Sequence, residues 1–188
     1  TDLTRSGGES RLFSFTRKAV HWLDVPITRN DWITAVSGNM PRQGVAQLNF
    51  GSYNDRSIVE VNGDLFYQST DGIRSLFESI RYFGQWGNTP ASNNVERALK
   101  FNDRSLMRFS TGMVFDNRLW ESCVPIVTPA GVAFRGMLPL DFDLISSLDE
   151  KLPPAWEGLW EGHDTLQYFE GDFGGLFRGF AIGVDRAD

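Results

Sequence analysis

Apolar and polar positions alternate most cleanly around Asn62-Gly63, where Ile58-Val59-Glu60-Val61 leads in and Asp64-Leu65-Phe66-Tyr67-Gln68 leads out. Both central residues of a type I′ turn need positive φ, which Asn and Gly tolerate, so the pattern predicts a β-hairpin reversing at 62–63. Ser69-Thr70-Asp71-Gly72 predicts a second turn that ends the outgoing strand. Beyond Gly72 the period changes. Ile73, Leu76, Phe77, Ile80 and Phe83 recur at helical spacing, with Arg74, Glu78 and Arg81 elsewhere. This predicts an amphipathic helix of about three turns, its apolar stripe in the core, ending near Gly84. Residues 84–90 read as a loop, and Asn93 to Lys100 as a short helix with Val95, Ala98 and Leu99 on one side.

Two more strand-rich blocks follow. Between Met113 and Asp143, Asp116-Asn117 turns one strand into Leu119-Trp120-Glu121-Ser122-Cys123-Val124. Thr128-Pro129-Ala130-Gly131 then connects to Val132–Leu138, so three antiparallel strands are expected. In the last block Thr165–Phe169 and Leu176–Val184 flank the glycine-rich 170–175, which predicts another hairpin. Upstream, Leu12-Phe13-Ser14-Phe15 opens a strand, and 31–37 fits no single period. Polar residues 1–10 with Gly7-Gly8 read as a flexible arm that orders against a partner, and 11–188 as a single mainly-β domain. Three hairpin or meander units at spacings of roughly 45–60 residues suit blades of a β-propeller, which closes with four or more. The chain alone would then leave an open edge, to be completed by further residues or by neighbouring subunits.

Composition supports the β reading. Fifteen Phe, six Trp and nineteen dispersed Gly among 188 residues suit strands joined by tight turns. The formal net charge of −6 disfavours broad capture of nucleic acid or anionic lipid. Arg11, Arg17 and Lys18 form the densest basic stretch and read as a solvated surface. One cysteine, Cys123, excludes an intrachain disulfide and reads as a buried β thiol; His21 and His163 stand alone. No apolar run approaches the ~18–20 residues of a membrane span, and the chain opens with no secretion signal. The first residue is Thr rather than Met, which points to a processed, trimmed or partial chain.

Three segments together carry a resemblance: Gly63–Leu76, which reads Gly-Asp-Leu-Phe-Tyr-Gln-Ser-Thr-Asp-Gly-Ile-Arg-Ser-Leu, then Phe115-Asp116-Asn117-Arg118-Leu119, then Pro153-Pro154-Ala155-Trp156-Glu157-Gly158-Leu159-Trp160. The chain from about Ser57 to Val184 is similar to tailed-bacteriophage virion structural proteins with β-propeller segments. The resemblance implies a non-enzymatic structural component of a phage tail or neck, present in repeated copies. Its implied partners are other copies of itself and neighbouring virion proteins, its place the virion after assembly in the host cytoplasm. It carries over no catalytic, cofactor-binding or metal-binding residue, and no cofactor.

Asp116-Asn117 suits a tight turn, and Arg118 suits a fork onto a nearby carboxylate or carbonyl. Pro153-Pro154 stiffens the approach to Trp156 and Trp160, whose indoles would seal a core or a subunit contact. A propeller-fold glycoside hydrolase is the rival reading, with Asp141, Asp143, Glu157, Glu161 and Asp172 as candidate carboxylates; Asp141 and Asp143 would share a face of an extended strand. A non-catalytic carbohydrate-binding module using Trp86, Trp156 or Trp160 is the third. Ser69-Thr70-Asp71-Gly72 is partly similar to the aspartate box of sialidase-like propellers, a turn remote from chemistry. Phosphate-loop, paired-histidine zinc and regular calcium-loop patterns are absent from the sequence.

Overall fold

The computed structural model describes residues 2–5, 11–24, 29–30, 33, 43–81, 88–100, 102–127, 133–143, 155–160 and 165–183. These form four antiparallel sheets in chain order, each built from consecutive strands. The first contains β1 (Asp2–Arg5), β2 (Arg11–Phe15), β3 (Ala19–Asp24) and β4 (Gln43–Leu48); the second β5 (Val59–Val61), β6 (Asp64–Ser69) and β7 (Gly72–Ser75). The third contains β8 (Gly112–Phe115), β9 (Arg118–Val127), β10 (Ala133–Asp141) and β11 (Ala155–Trp156); the fourth pairs β12 (Thr165–Asp172) with β13 (Phe177–Gly183). The protein is mainly β and antiparallel, as the pattern of turns predicts. The described residues form one more unit than expected, because β1 to β4 make a sheet of their own, and Asp2–Arg5, inside the expected arm, pair with β2 as the first strand of that sheet.

The turns explain the registers. Asn62 and Gly63 take φ of 51° and 83°, so Val61 faces Asp64 across a two-residue type I′ turn. Asp116 and Asn117, at 53° and 52°, make the same turn between β8 and β9. Each turn is followed by a strand whose second residue is a fully buried leucine, Leu65 or Leu119. Gly174 and Gly175, at 67° and 84°, reverse the chain between β12 and β13, with Phe173 N–H donating to the Leu176 carbonyl at 2.9 Å. That turn is shorter, and β12 longer, than the glycine-rich stretch suggests.

The segment after Gly72 departs from expectation. Residues 72–75 continue the sheet, pairing Ile73 with Gln68 and Ser75 with Phe66, and only Leu76–Arg81 forms a helix, α1, within the described residues. Ser75 starts it by accepting from the Glu78 N–H at 3.1 Å, and the Asp64 carboxylate accepts from the Phe77 N–H at 3.0 Å. Leu76 is buried, but Phe77 is 55% exposed, Ile80 is also exposed, and Ser79 takes the inner position. The predicted apolar stripe is therefore half strand core and half surface. Val95 and α2 (Glu96–Leu99) follow a 3-10 turn at Ala91–Val95, and Val95 and Leu99 pack inward as expected. Residue Phe83 and most of the 84–90 loop lie outside the described residues.

Alternation along β6 sets the packing. Leu65 and Tyr67 point to one side, where they meet Phe13, Phe15, Val20 and Ala46 of the first sheet; the Phe15 and Tyr67 rings meet edge-on at 5.1 Å. Phe66 points to the other side, with Val61 and Ile73, against Leu119, Leu138 and Leu140 of the third sheet. The small middle sheet is thus covered on both faces, and two apolar clusters share it. The next residues of the third sheet, Met113, Phe115, Trp120 and Met137, face the fourth sheet around Tyr168, Gly179 and Ala181. Gly179 lets the two sheets approach closely, since a Cβ there would crowd Met113 at 3.0 Å and Phe115 at 3.1 Å.

Burial on both faces makes neighbouring residues of β6 equally costly to truncate. Leu65→Ala and Phe66→Ala are each expected to cost about 3 kcal/mol in urea unfolding. A strand covered on one face only would show one such loss and one close to zero.

Candidate functional site

Four groupings of side chains stand out. The first is at the β6–β7 turn, where Arg74 is 1% exposed yet charged. It donates from Nε to Asp71 Oδ1 at 3.0 Å and from Nη2 to Asp71 Oδ2, while Nη1 reaches Asn88 Oδ1 at 2.7 Å. Its guanidinium lies 4.1 Å over the Phe50 ring. Asp71 also accepts from Ser69 Oγ, so the Ser69–Gly72 segment is a turn clamped from behind by an arginine. This is a structural latch that joins the second sheet to the first, and it holds Asp71 as a paired anion. Tyr67 lies on the same face, and its burial pushes the phenol up to about 12.

The second grouping is the Arg118 cluster at one end of the third sheet. Arg118 Nη2 donates to Asp141 at 2.9 Å, Nε to Glu157 at 2.9 Å and Nη1 to Asp116 at 3.1 Å. Two candidate carboxylates, Asp141 and Glu157, therefore meet on one guanidinium that takes up an oxygen of each. Asp143 does not extend the strand as expected: its N–H folds back onto Asp141 Oδ1 at 2.8 Å, and its carboxylate accepts from Asn117. Asp172 stands apart and accepts from the Gly175 N–H at 2.8 Å within the last hairpin turn. Glu161 lies outside the described residues. The arrangement ties the β8–β9 turn to β10 and to the residue after β11.

The third is Glu121 on β9. Its position two residues from Leu119 directs it into the layer between the second and third sheets, and it is fully buried. Neither carboxyl oxygen has a hydrogen-bond partner among the described residues, and the Gln68 amide is in the same condition. Gly112 sits opposite because a Cβ there would come 2.4 Å from Glu121 Oε2. Burial holds the Glu121 pKa well above the usual carboxyl range, so the group is a neutral acid in the fold.

The fourth is a surface. Six of the twelve large apolar side chains exposed among the described residues belong to the last hairpin: Leu166, Phe169, Phe173, Leu176, Phe177 and Ile182. Phe169 stacks on its cross-strand neighbour Phe180 at 5.1 Å, and Phe173 meets Phe180 edge-on at 4.9 Å. Phe177, Gly179 and Ala181 lie on the side turned to the third sheet, where Phe177 stacks on Phe115 at 6.4 Å, so Arg178, Phe180 and Ile182 face away from it. The result is a contiguous aromatic face with nothing over it among the described residues.

The remaining sequence candidates are dispersed. Arg11 pairs with Asp24 at 3.0 Å and lies over Trp22, Arg17 lies over Tyr53, and Lys18 is exposed, so the basic stretch is spread over the first sheet. The Trp156 indole donates to the Ala91 carbonyl at 3.1 Å and packs on the second layer, whereas Trp160 stays 44% exposed, edge-on to Trp120. His21 is exposed on β3; Cys123 lies in β9 opposite Gly136, with its side chain outside the described residues. Trp86, Pro153-Pro154 and His163 also lie outside them. Among the described residues no three His, Cys, Asp or Glu side chains gather as metal ligands, and no helix is long and apolar enough to cross a membrane. No protein-family model and no curated protein matches the chain.

Glu121 keeps its proton in the fold but loses it above about pH 4.5 when unfolded, so its contribution is fully present below that pH and falls away as pH rises toward the folded value. Burial raises Asp64 and Glu78 in the same direction. The melting temperature is therefore expected to decline from mildly acid to alkaline pH, and Glu121→Gln to flatten that slope and stabilise the fold at high pH; an unchanged slope places its origin elsewhere. Arg74→Ala leaves Asp71 without its partner and is expected to cost about 3 kcal/mol or more in denaturant unfolding.

Proposed function

We propose that this chain is a non-enzymatic structural module that acts by packing its sheets against neighbours, as a propeller-like segment in the tail or neck of a tailed phage. The single observation that carries the assembly reading is the uncovered aromatic face of β12 and β13. Among the described residues the middle sheet is covered on both sides by apolar clusters that also enclose Arg74, Gln68 and Glu121, whereas the outer face of β12 and β13 is aromatic and uncovered. A soluble surface seldom concentrates large apolar groups in this way unless something seats on it.

Meanders stacked in chain order support the propeller-like part of the reading, with each sheet in the role of a blade and further sheets, from repeated copies or neighbouring virion proteins, completing the stack. The virion setting rests on the similarity of Gly63–Leu76, Phe115–Leu119 and Pro153–Trp160 to tailed-phage virion proteins. The mechanism is geometric: latched turns and two-sided burial resist deformation, and the open face supplies attachment. For the rival hydrolase reading, Asp141 and Glu157 share the Arg118 guanidinium, a pairing that holds a turn and needs no substrate.

Cross-linking of intact phage particles that carry the chain is expected to join the β12–β13 hairpin to a neighbouring virion protein. A chain recovered only outside particles contradicts the reading, and so does turnover of a glycan panel that Asp141→Asn abolishes.

A further inference from the structure

The fourth sheet is unfinished along its edge as well as over its face. The other sheets have three or four strands, whereas β12 and β13 form a pair, and a two-stranded sheet is marginal in water. One of its two edges is occupied. The Tyr168 N–H donates to Thr111 Oγ1 at 3.3 Å, so it points away from its partner Ala181, and the outer edge of β12 abuts the third sheet. The outer edge of β13 pairs with no strand among the described residues, and every position along Phe177–Gly183 is exposed or half-buried. Natural edge strands are commonly blunted by proline, lysine, a bulge or an inward charge. β13 has no Pro or Lys, its register slip lies on the β12 side at 165–167, and its one charge, Arg178, points outward.

The sequence of this strand fits itself. In an antiparallel pairing of β13 with a second β13 about a two-fold axis through Phe180, the two Phe180 rings become cross-strand neighbours. Gly179 then faces Ala181 of the other copy, Arg178 faces Ile182, and Phe177 faces Gly183. No like charges meet, the small residues stay together on the face turned toward the third sheet, and an aromatic ring covers a glycine. We propose that two copies of this chain join edge to edge through β13, giving a continuous four-stranded sheet β12-β13-β13-β12. The occupant of the edge is thus a second copy of the chain, and the interface is isologous. This rests on the assembly reading above, and it names the partner for one border of the same hairpin. The joined sheet places Phe169, Phe173 and Phe180 of both copies on one side, doubling the aromatic face that a larger assembly would use.

The test uses the full chain with Cys123→Ser, after sedimentation confirms that this background matches the unmodified protein. Arg178→Cys and Ile182→Cys are made separately, both at outward positions whose loss leaves the inner packing intact. In the proposed register the two thiols face each other across the axis, at the roughly 5 Å Cβ spacing of opposed residues. Each is about 13 Å or more from its own copy in the other chain, four residues along the strand. Mild oxidation is expected to yield disulfide-linked dimer when the two variants are mixed and little with either alone. A dimer in sedimentation without that mixed-only pattern overturns the edge pairing and leaves assembly through the face standing. A monomer at the highest soluble concentration overturns the edge pairing and also removes self-assembly from the functional reading. A second measurement guards against perturbed variants: Ile182→Glu sets an acid opposite Arg178 and is expected to hold or tighten the dimer, with the gain lost at high salt. Association through apolar faces alone would be weakened by the same change.

Discussion

The covering of β6 on both faces is the constraint on which the rest of the molecule depends. Strands alternate their side chains with a period of two, so a single six-residue strand sends Leu65 and Tyr67 into one layer and Phe66 into the other. Among the described residues the cores of the first and third sheets each meet this thin middle sheet, one on either face. Both of its turns are pinned: Asn62-Gly63 sets the register at one end, and Asp71 with buried Arg74 latches the other. A slip of one residue along β6 would exchange the two faces and put both layers out of register at once.

The same logic explains why the hairpin at the end of the stack has a different character. Interior sheets spend their apolar residues on neighbours inside the chain, while β12 and β13 spend one side on Met113 and Phe115 and leave the other to solvent. Function, on this account, is the continuation of the packing that makes the fold. Arg74 and Arg118 each bind carboxylates around a turn and so brace the same packing. Glu121 is the exception, a carboxyl in the second layer with a glycine making room for it, its pKa raised by burial.

Much of this was legible in the sequence where backbone chemistry speaks locally. Asn62-Gly63 and Asp116-Asn117 announce turns because only a few residue types tolerate positive φ, and the strands on either side follow. Arg118 was readable as a fork seeking a carboxylate. The helix from Ile73 was misread, because apolar residues at 73, 76, 77 and 80 match a helical period while tertiary pairing with Phe66 and Gln68 keeps 73–75 extended. The signal that locates the true start is Ser75 followed three residues later by Glu78, a capping pattern that the apolar period masks. The first sheet was missed beyond Leu12–Phe15 because its strands are short and interrupted by polar residues such as His21 and Gln47. Buried Glu121 was open to discovery from its alternation with Leu119 and was not singled out. The aromatic face was invisible for a deeper reason: exposure of Phe169 or Phe173 depends on what packs over the sheet, which no local pattern encodes.

Amide hydrogen exchange across the native chain tests the central claim most directly. The hydrogen-bonded amides of Asp64–Ser69 are predicted to exchange last, at the rate set by global unfolding, because no local opening can free a strand sealed on both faces. Exchange of those amides through local opening, as fast as that of strands at the borders of the stack, would contradict the account.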